Sequence, residues 1–120
     1  MKLRIKGNSI RLRLSKPEVE MLSSAGIIKE QTDFAGNSFV YCLKKDTTGE
    51  LKASFTNNQL VVFIPGEFVH DWPGNNIVGI DNKLVDGSLP QLYILVEKDF
   101  KCIDDTTEDQ SDNYDNPKTC

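Results

Sequence analysis

Apolar and polar residues alternate from Met1 to Leu14 on both sides of a Gly7-Asn8 pair, which predicts two β-strands joined by a two-residue turn. With Gly7-Asn8 as the loop, the facing pairs are Lys6/Ser9, Ile5/Ile10, Arg4/Arg11, Leu3/Leu12, Lys2/Arg13 and Met1/Leu14. This register places Met1, Leu3, Ile5, Ile10, Leu12 and Leu14 on one face and Lys2, Arg4, Lys6, Arg11 and Arg13 on the other. A slip of one residue would mix the two sets, so the register is strongly specified. Leu3, Ile5, Ile10 and Leu12 are expected to be nearly fully buried. On the cationic face Arg4 stands opposite Arg11, an unfavourable pairing without counter-charge, so an anionic group is expected close by.

Ser15-Lys16-Pro17-Glu18 is a capping box. It predicts a short amphipathic helix whose stripe of Val19, Leu22 and Ala25 ends at Gly26. Ile27 to Phe34 reads as a polar, exposed strand, and Ala35-Gly36-Asn37 turns it into a strand from Ser38 to Lys45 that is apolar on both sides and therefore central. A second register test comes at Leu51 to Ile64, with Asn57-Asn58 as the turn. Pairing Thr56 with Gln59 gathers Leu51, Ala53, Phe55, Leu60, Val62 and Ile64 on one face. Phe68, Val69 and Trp72 suggest one or two helical turns, stopped by Pro73-Gly74. A strand follows at Ile77 to Ile80, and the almost wholly apolar Gln91 to Glu97 predicts a strand buried on both faces in mid-sheet. No internal repeat at a fixed period is read in the sequence.

About eight strands and two short helices predict an α+β domain, with mostly antiparallel strands forming a twisted sheet or open barrel. Residues 1–100 form the single domain, and 101–120 an acidic C-terminal tail packed on it. With 120 residues the chain can build a core that needs no disulfide or metal scaffold. The three cysteines, Cys42, Cys102 and Cys120, do not match a secreted disulfide framework. No apolar run approaches the ~18 residues of a membrane span, and the N-terminus lacks a signal-like apolar stretch, so the expectation is a cytoplasmic protein without membrane contact.

The net charge of -4 hides an asymmetry. Residues 1–16 carry Lys2, Arg4, Lys6, Arg11, Arg13 and Lys16 and no acid, whereas 99–120 carry seven acids and two lysines. An acidic chain argues against a protein built for DNA, while a local basic stripe suits an anionic ligand. Lys2, Arg4, Lys6, Arg11 and Arg13 are the candidate anion-binding residues, with the acidic tail as an alternative occupant of the same face. The strand pair offers no aromatic stacking partner of the kind that single-stranded nucleic acids use, so nucleic acid is not the expected partner. The expected partner is an anionic ligand or another protein.

No catalytic motif is present. The tail acids lack the spacing of a calcium loop, and Cys42, Cys102, Cys120 and His70 lack any C-x2-C pair of a zinc site. No cofactor is expected. His70, beside Asp71 and Trp72, is tied to no nucleophile by motif.

Basic alternating strands resemble those of the triphosphate tunnel metalloenzymes, the likeness resting on Ile10-Arg11-Leu12-Arg13-Leu14. It implies, as the alternative function, a phosphate-handling metal-dependent enzyme with Arg4, Arg11 and Arg13 as clamp and tail carboxylates as metal ligands. That family's first strand carries Glu-x-Glu-x-Lys, whereas lysine and arginine stand here, which removes the metal ligands its chemistry needs. A further resemblance rests on Met1 to Leu14, Asp71-Trp72, Val96-Glu97-Lys98-Asp99-Phe100, Cys102, Glu108-Asp109 and Asn116-Pro117. These residues resemble a family of small uncharacterised bacterial proteins that opens with Met-Lys-[Ile/Leu]-Arg-Ile-Lys-x-Asn-Ser-Ile-Arg-[Leu/Phe]-Arg-Leu. The resemblance implies a bacterial cytosolic protein and assigns no activity. The function expected from the sequence is thus a small non-enzymatic binding or interaction protein, whose basic ribbon engages an anionic partner or its own tail.

Overall fold

The computed structural model describes residues 1–84, 86–88 and 90–100. The tail, with Cys102, Cys120 and its expected packing on the domain, lies outside the described residues. Among the described residues eight strands are present: β1 (Lys2–Lys6), β2 (Ser9–Leu14), β3 (Ile27–Phe34), β4 (Asn37–Asp46), β5 (Lys52–Thr56), β6 (Gln59–Pro65), β7 (Gly79–Asp81) and β8 (Tyr93–Lys98). Two helices, α1 (Lys16–Ala25) and α2 (Gly66–Asp71), and a 3-10 turn at Trp72–Gly74 complete an α+β fold. The strands form two four-stranded sheets, ordered β1-β2-β8-β7 and β3-β4-β6-β5, and neither closes into a barrel.

Local chemistry explains both leading hairpins. The first holds the expected register from Lys2/Arg13 to Lys6/Ser9, with Gly7 supplying a φ of +54° at the first turn position, where a side chain would be strained. In the second, Asn57 and Asn58 take φ of 51° and 61°, and Thr56 pairs with Gln59. α1 begins at its capping box, where Glu18 Oε1 accepts from the Ser15 amide at 2.8 Å. Glu18 also accepts from the amine of Met1. These contacts hold its carboxyl below the usual range, against the upward push of burial, which is the largest single influence.

The expected burial holds for Ile10 and Leu12. Leu3 is only half-buried, and Ile5 is 61% exposed, contrary to expectation. The apolar alternation fixes which face Ile5 occupies but not how far the covering layer reaches, and Ile5 sits near the end of an edge strand, two residues before the turn.

The fold contains an internal repeat that sequence identity hides. Each residue from Met1 to Leu14 has the burial class of the residue fifty places later, from Leu51 to Ile64. The correspondence continues through the rest of each half. The Val40 amide donates to Asn58 O at 3.0 Å and the Tyr93 amide to Asn8 O at 3.1 Å; the Lys45 amide donates to Gly26 O and the Lys98 amide to Val78 O. Lys45 Nζ donates to Ser23 O at 2.9 Å, and Lys98 Nζ to Asn75 O at 2.7 Å. Each half is therefore a hairpin, a helix and a second hairpin. The halves interlock, because each sheet takes its first hairpin from one half and its second from the other, joined by a parallel pair, β2 with β8 and β4 with β6.

Between the sheets and helices lies one apolar cluster that includes Leu12, Leu14, Leu22, Leu43, Val62, Ile64, Trp72, Ile94 and Val96. β8 is interior, as expected, but only Ile94 and Val96 are buried; Tyr93 and Leu95 are half-exposed on the opposite face. β7 begins at Gly79 rather than Ile77. A Cβ added to Gly79 would lie 2.3 Å from Val96 O and 2.8 Å from Glu97 Cα, both backbone atoms that cannot rotate away. Gly79→Ala is expected to cost about 1–3 kcal/mol by overpacking, read as a lower urea midpoint. An unchanged midpoint would mean that β7 does not press on β8.

Candidate functional site

The outward face of the β1-β2-β8-β7 sheet carries the five predicted cations. Cross-strand pairing sets Arg4 beside Arg11, Arg11 beside Leu95 and Leu95 beside Asp81. One step along, Lys2 faces Arg13 and Arg13 faces Glu97. The expected counter-charge is thus present, and it comes from β8. Glu97 Oε1 lies 2.8 Å from Arg13 Nε and 3.7 Å from Arg11 Nε, with only 12% of its side chain exposed. Asp99 Oδ2 lies 2.8 Å from Lys2 Nζ. The latter pair repeats in the other half as Lys52 and Asp46, at 3.7 Å.

These carboxylates occupy one end of the face. At the other end Arg4, Lys6, Ser9, Arg11, Tyr93 and Leu95 line a groove of about 350 Å³. The five predicted residues therefore separate: Lys2 and Arg13 face carboxylates, Arg4 and Lys6 line the groove, and Arg11 belongs to both. Tyr93 corrects the expectation of a face without aromatic residues. It enters because β8 lies parallel to β2 and brings Tyr93 opposite Ser9. Its hydroxyl donates to Asp81 Oδ2 at 3.0 Å. Burial first, then this hydrogen bond and the Asp81 charge, raise the phenol above its ordinary 10.0, so it remains a neutral donor at physiological pH.

Sequence reasoning missed Tyr93, Leu95 and Glu97 because no local signal reports which strand lies beside β2. Their alternation within Gln91–Glu97 was the available clue, since residues two apart share a face. Replacing Glu97 by glutamine leaves Arg11 and Arg13 together without their shared carboxylate. Glu97→Gln is expected to cost about 1–3 kcal/mol while raising the salt needed to elute the protein from heparin. Earlier elution would show that Glu97 does not offset these arginines.

Among the described residues no three His, Cys, Asp or Glu side chains gather as a metal-binding group. Cys42 is buried in β4, and His70 is exposed on α2, 3.9 Å from the equally exposed Asp71. The tail carboxylates considered as metal ligands lie outside the described residues. No described helix is long and apolar enough to cross a membrane.

No curated protein and no solved structure matches the chain. One family model does, over residues 1–118, which takes in both halves of the repeat and every residue of the cationic face. The chain belongs to this family of unknown function (DUF7009).

Proposed function

We propose that the protein is a small non-enzymatic binding protein that receives an anionic group in the groove formed by Arg4, Lys6 and Arg11. The observation that carries this reading is the clustering of the three cations around one concavity, on the side of the sheet away from the apolar core. Two guanidiniums on neighbouring strands present planar forks of N–H donors, a geometry suited to carboxylate or phosphate oxygens. Toward the other end of the face Glu97 and Asp99 meet Arg13 and Lys2, and Glu97 also lies 3.7 Å from Arg11.

The acidic tail is a competitor for the same face. Its six acids from Asp104 to Asp115 are complementary to the ribbon, and each exposed pair contributes only about 0–1 kcal/mol, so a tail held by charge would exchange with other anions.

Retention on heparin and melting with added pyrophosphate test the reading. The full-length protein is expected to elute at higher salt than an Arg4→Gln, Arg11→Gln double variant, and pyrophosphate is expected to raise the melting temperature of the former alone. Removing residues 104–120 should increase retention if the tail competes. Equal elution of the full-length protein and the double variant, with no pyrophosphate shift, would sink the anion-binding reading.

A further inference from the structure

We infer that the anion is the phosphate end of a nucleotide-sized ester whose flat base lies on Tyr93 and Leu95. This inference deepens the anion-binding reading and rests on it. Arg4 and Arg11 are cross-strand neighbours, and Arg11 is in turn the neighbour of Leu95, so charge and apolar surface adjoin within one groove. A phosphate carried on a flat, unsaturated ring system matches that division; a bare anion uses only half of it.

The wall is preorganised. The Tyr93 hydroxyl is held by Asp81 and its amide by Asn8 O. The next amide, that of Ile94, donates to Asn82 Oδ1 at 2.8 Å. A wall fixed before binding loses little conformational entropy when a ligand arrives. The volume, about 350 Å³, lies at the low end for small-molecule sites. A long nucleic acid fits less well, because the chain's net charge is -4 and polynucleotide binding draws on extended positive charge.

The internal repeat supplies a control. In the second sheet the residues equivalent to Arg4, Lys6 and Arg11 are Ser54, Thr56 and Val61, and those equivalent to Tyr93 and Leu95 are Val40 and Cys42. The same backbone is built there with neither arginine nor an aromatic side chain at these five positions, so folding does not demand the combination found in the groove.

Calorimetry on the full-length protein at low ionic strength can test this with adenosine monophosphate, ribose 5-phosphate, adenosine and inorganic phosphate. Adenosine monophosphate is expected to bind about ten-fold more tightly than ribose 5-phosphate, the size of one base–aromatic stacking contact. Arg4→Gln should weaken both phosphate esters. Tyr93→Phe should retain the preference, whereas Tyr93→Leu should remove it, weakening adenosine monophosphate more than ribose 5-phosphate; Leu95→Ser is the second variant should Tyr93→Leu fail to fold. Equal affinity for the two esters would overturn the base platform while leaving the anion site intact. Loss of binding to every phosphate compound would remove both. Affinity that climbs with the length of single-stranded oligonucleotides would overturn the mononucleotide assignment in favour of nucleic acid.

Discussion

Trp72→Ala is expected to destabilise the protein by about 3–5 kcal/mol, a large part of the roughly 5–15 kcal/mol that holds most domains together. Trp72 has no exposed surface. Its indole Nε1 donates to Ile77 O at 2.8 Å, the Phe68 ring lies 5.0 Å away, and Lys98 Nζ stands 5.8 Å from its ring. The substitution opens a void and also orphans a carbonyl on the approach to β7. Leu22 holds the equivalent position in the first half and is likewise fully buried, so the tryptophan fills one side of a paired core. Urea unfolding measures the loss, and a value under about 1 kcal/mol would contradict the central place assigned to this ring.

Leu12→Ala is expected to cost about 2–5 kcal/mol. Leu12 is 1% exposed on an interior strand, opposite Leu3 of β1 and Val96 of β8. Its chain neighbours Arg11 and Arg13 point the other way, into the cationic face, so core and site share a strand. The folded fraction of this variant should keep its affinity for anions while the urea midpoint falls. A loss below about 0.5 kcal/mol would contradict the register from which its burial was predicted.

How much was legible depends on how local the determining chemistry is. Both hairpin registers were readable because Gly7-Asn8 and Asn57-Asn58 are turn sequences flanked by period-two alternation, information held within fourteen residues. α1 was readable from Ser15 to Gly26 for the same reason. The cationic face followed from the first register, and the need for counter-charge was foreseen with the acidic tail as its source, whereas the contribution of Glu97 was not. What could not be read was the neighbour of β2. The pairing of Ser9 with Tyr93 is set by how two interlocked halves bury one core, and no signal near either residue records it. The repeat was hidden for a related reason. Identities such as Lys2 with Lys52, Asn8 with Asn58 and Val19 with Val69 are sparse, whereas the in–out pattern is preserved. The signal that could have revealed it is that two hairpins fifty residues apart passed the same register test.

The parallel pairing of β2 with β8 also bears on how the chain emerges from the ribosome. β2 must wait for a partner that begins at Tyr93, and at ~5–20 residues per second of synthesis that delay is on the order of 4–17 s. For this interval one edge of the nascent first hairpin presents unpaired amides and carbonyls, the hazard from which strand-to-strand aggregation starts. Arg11 and Arg13 stand on that waiting strand, and like charges there repel a second nascent copy. Two arginines of the finished protein's cationic face thus act as gatekeepers while it is being made.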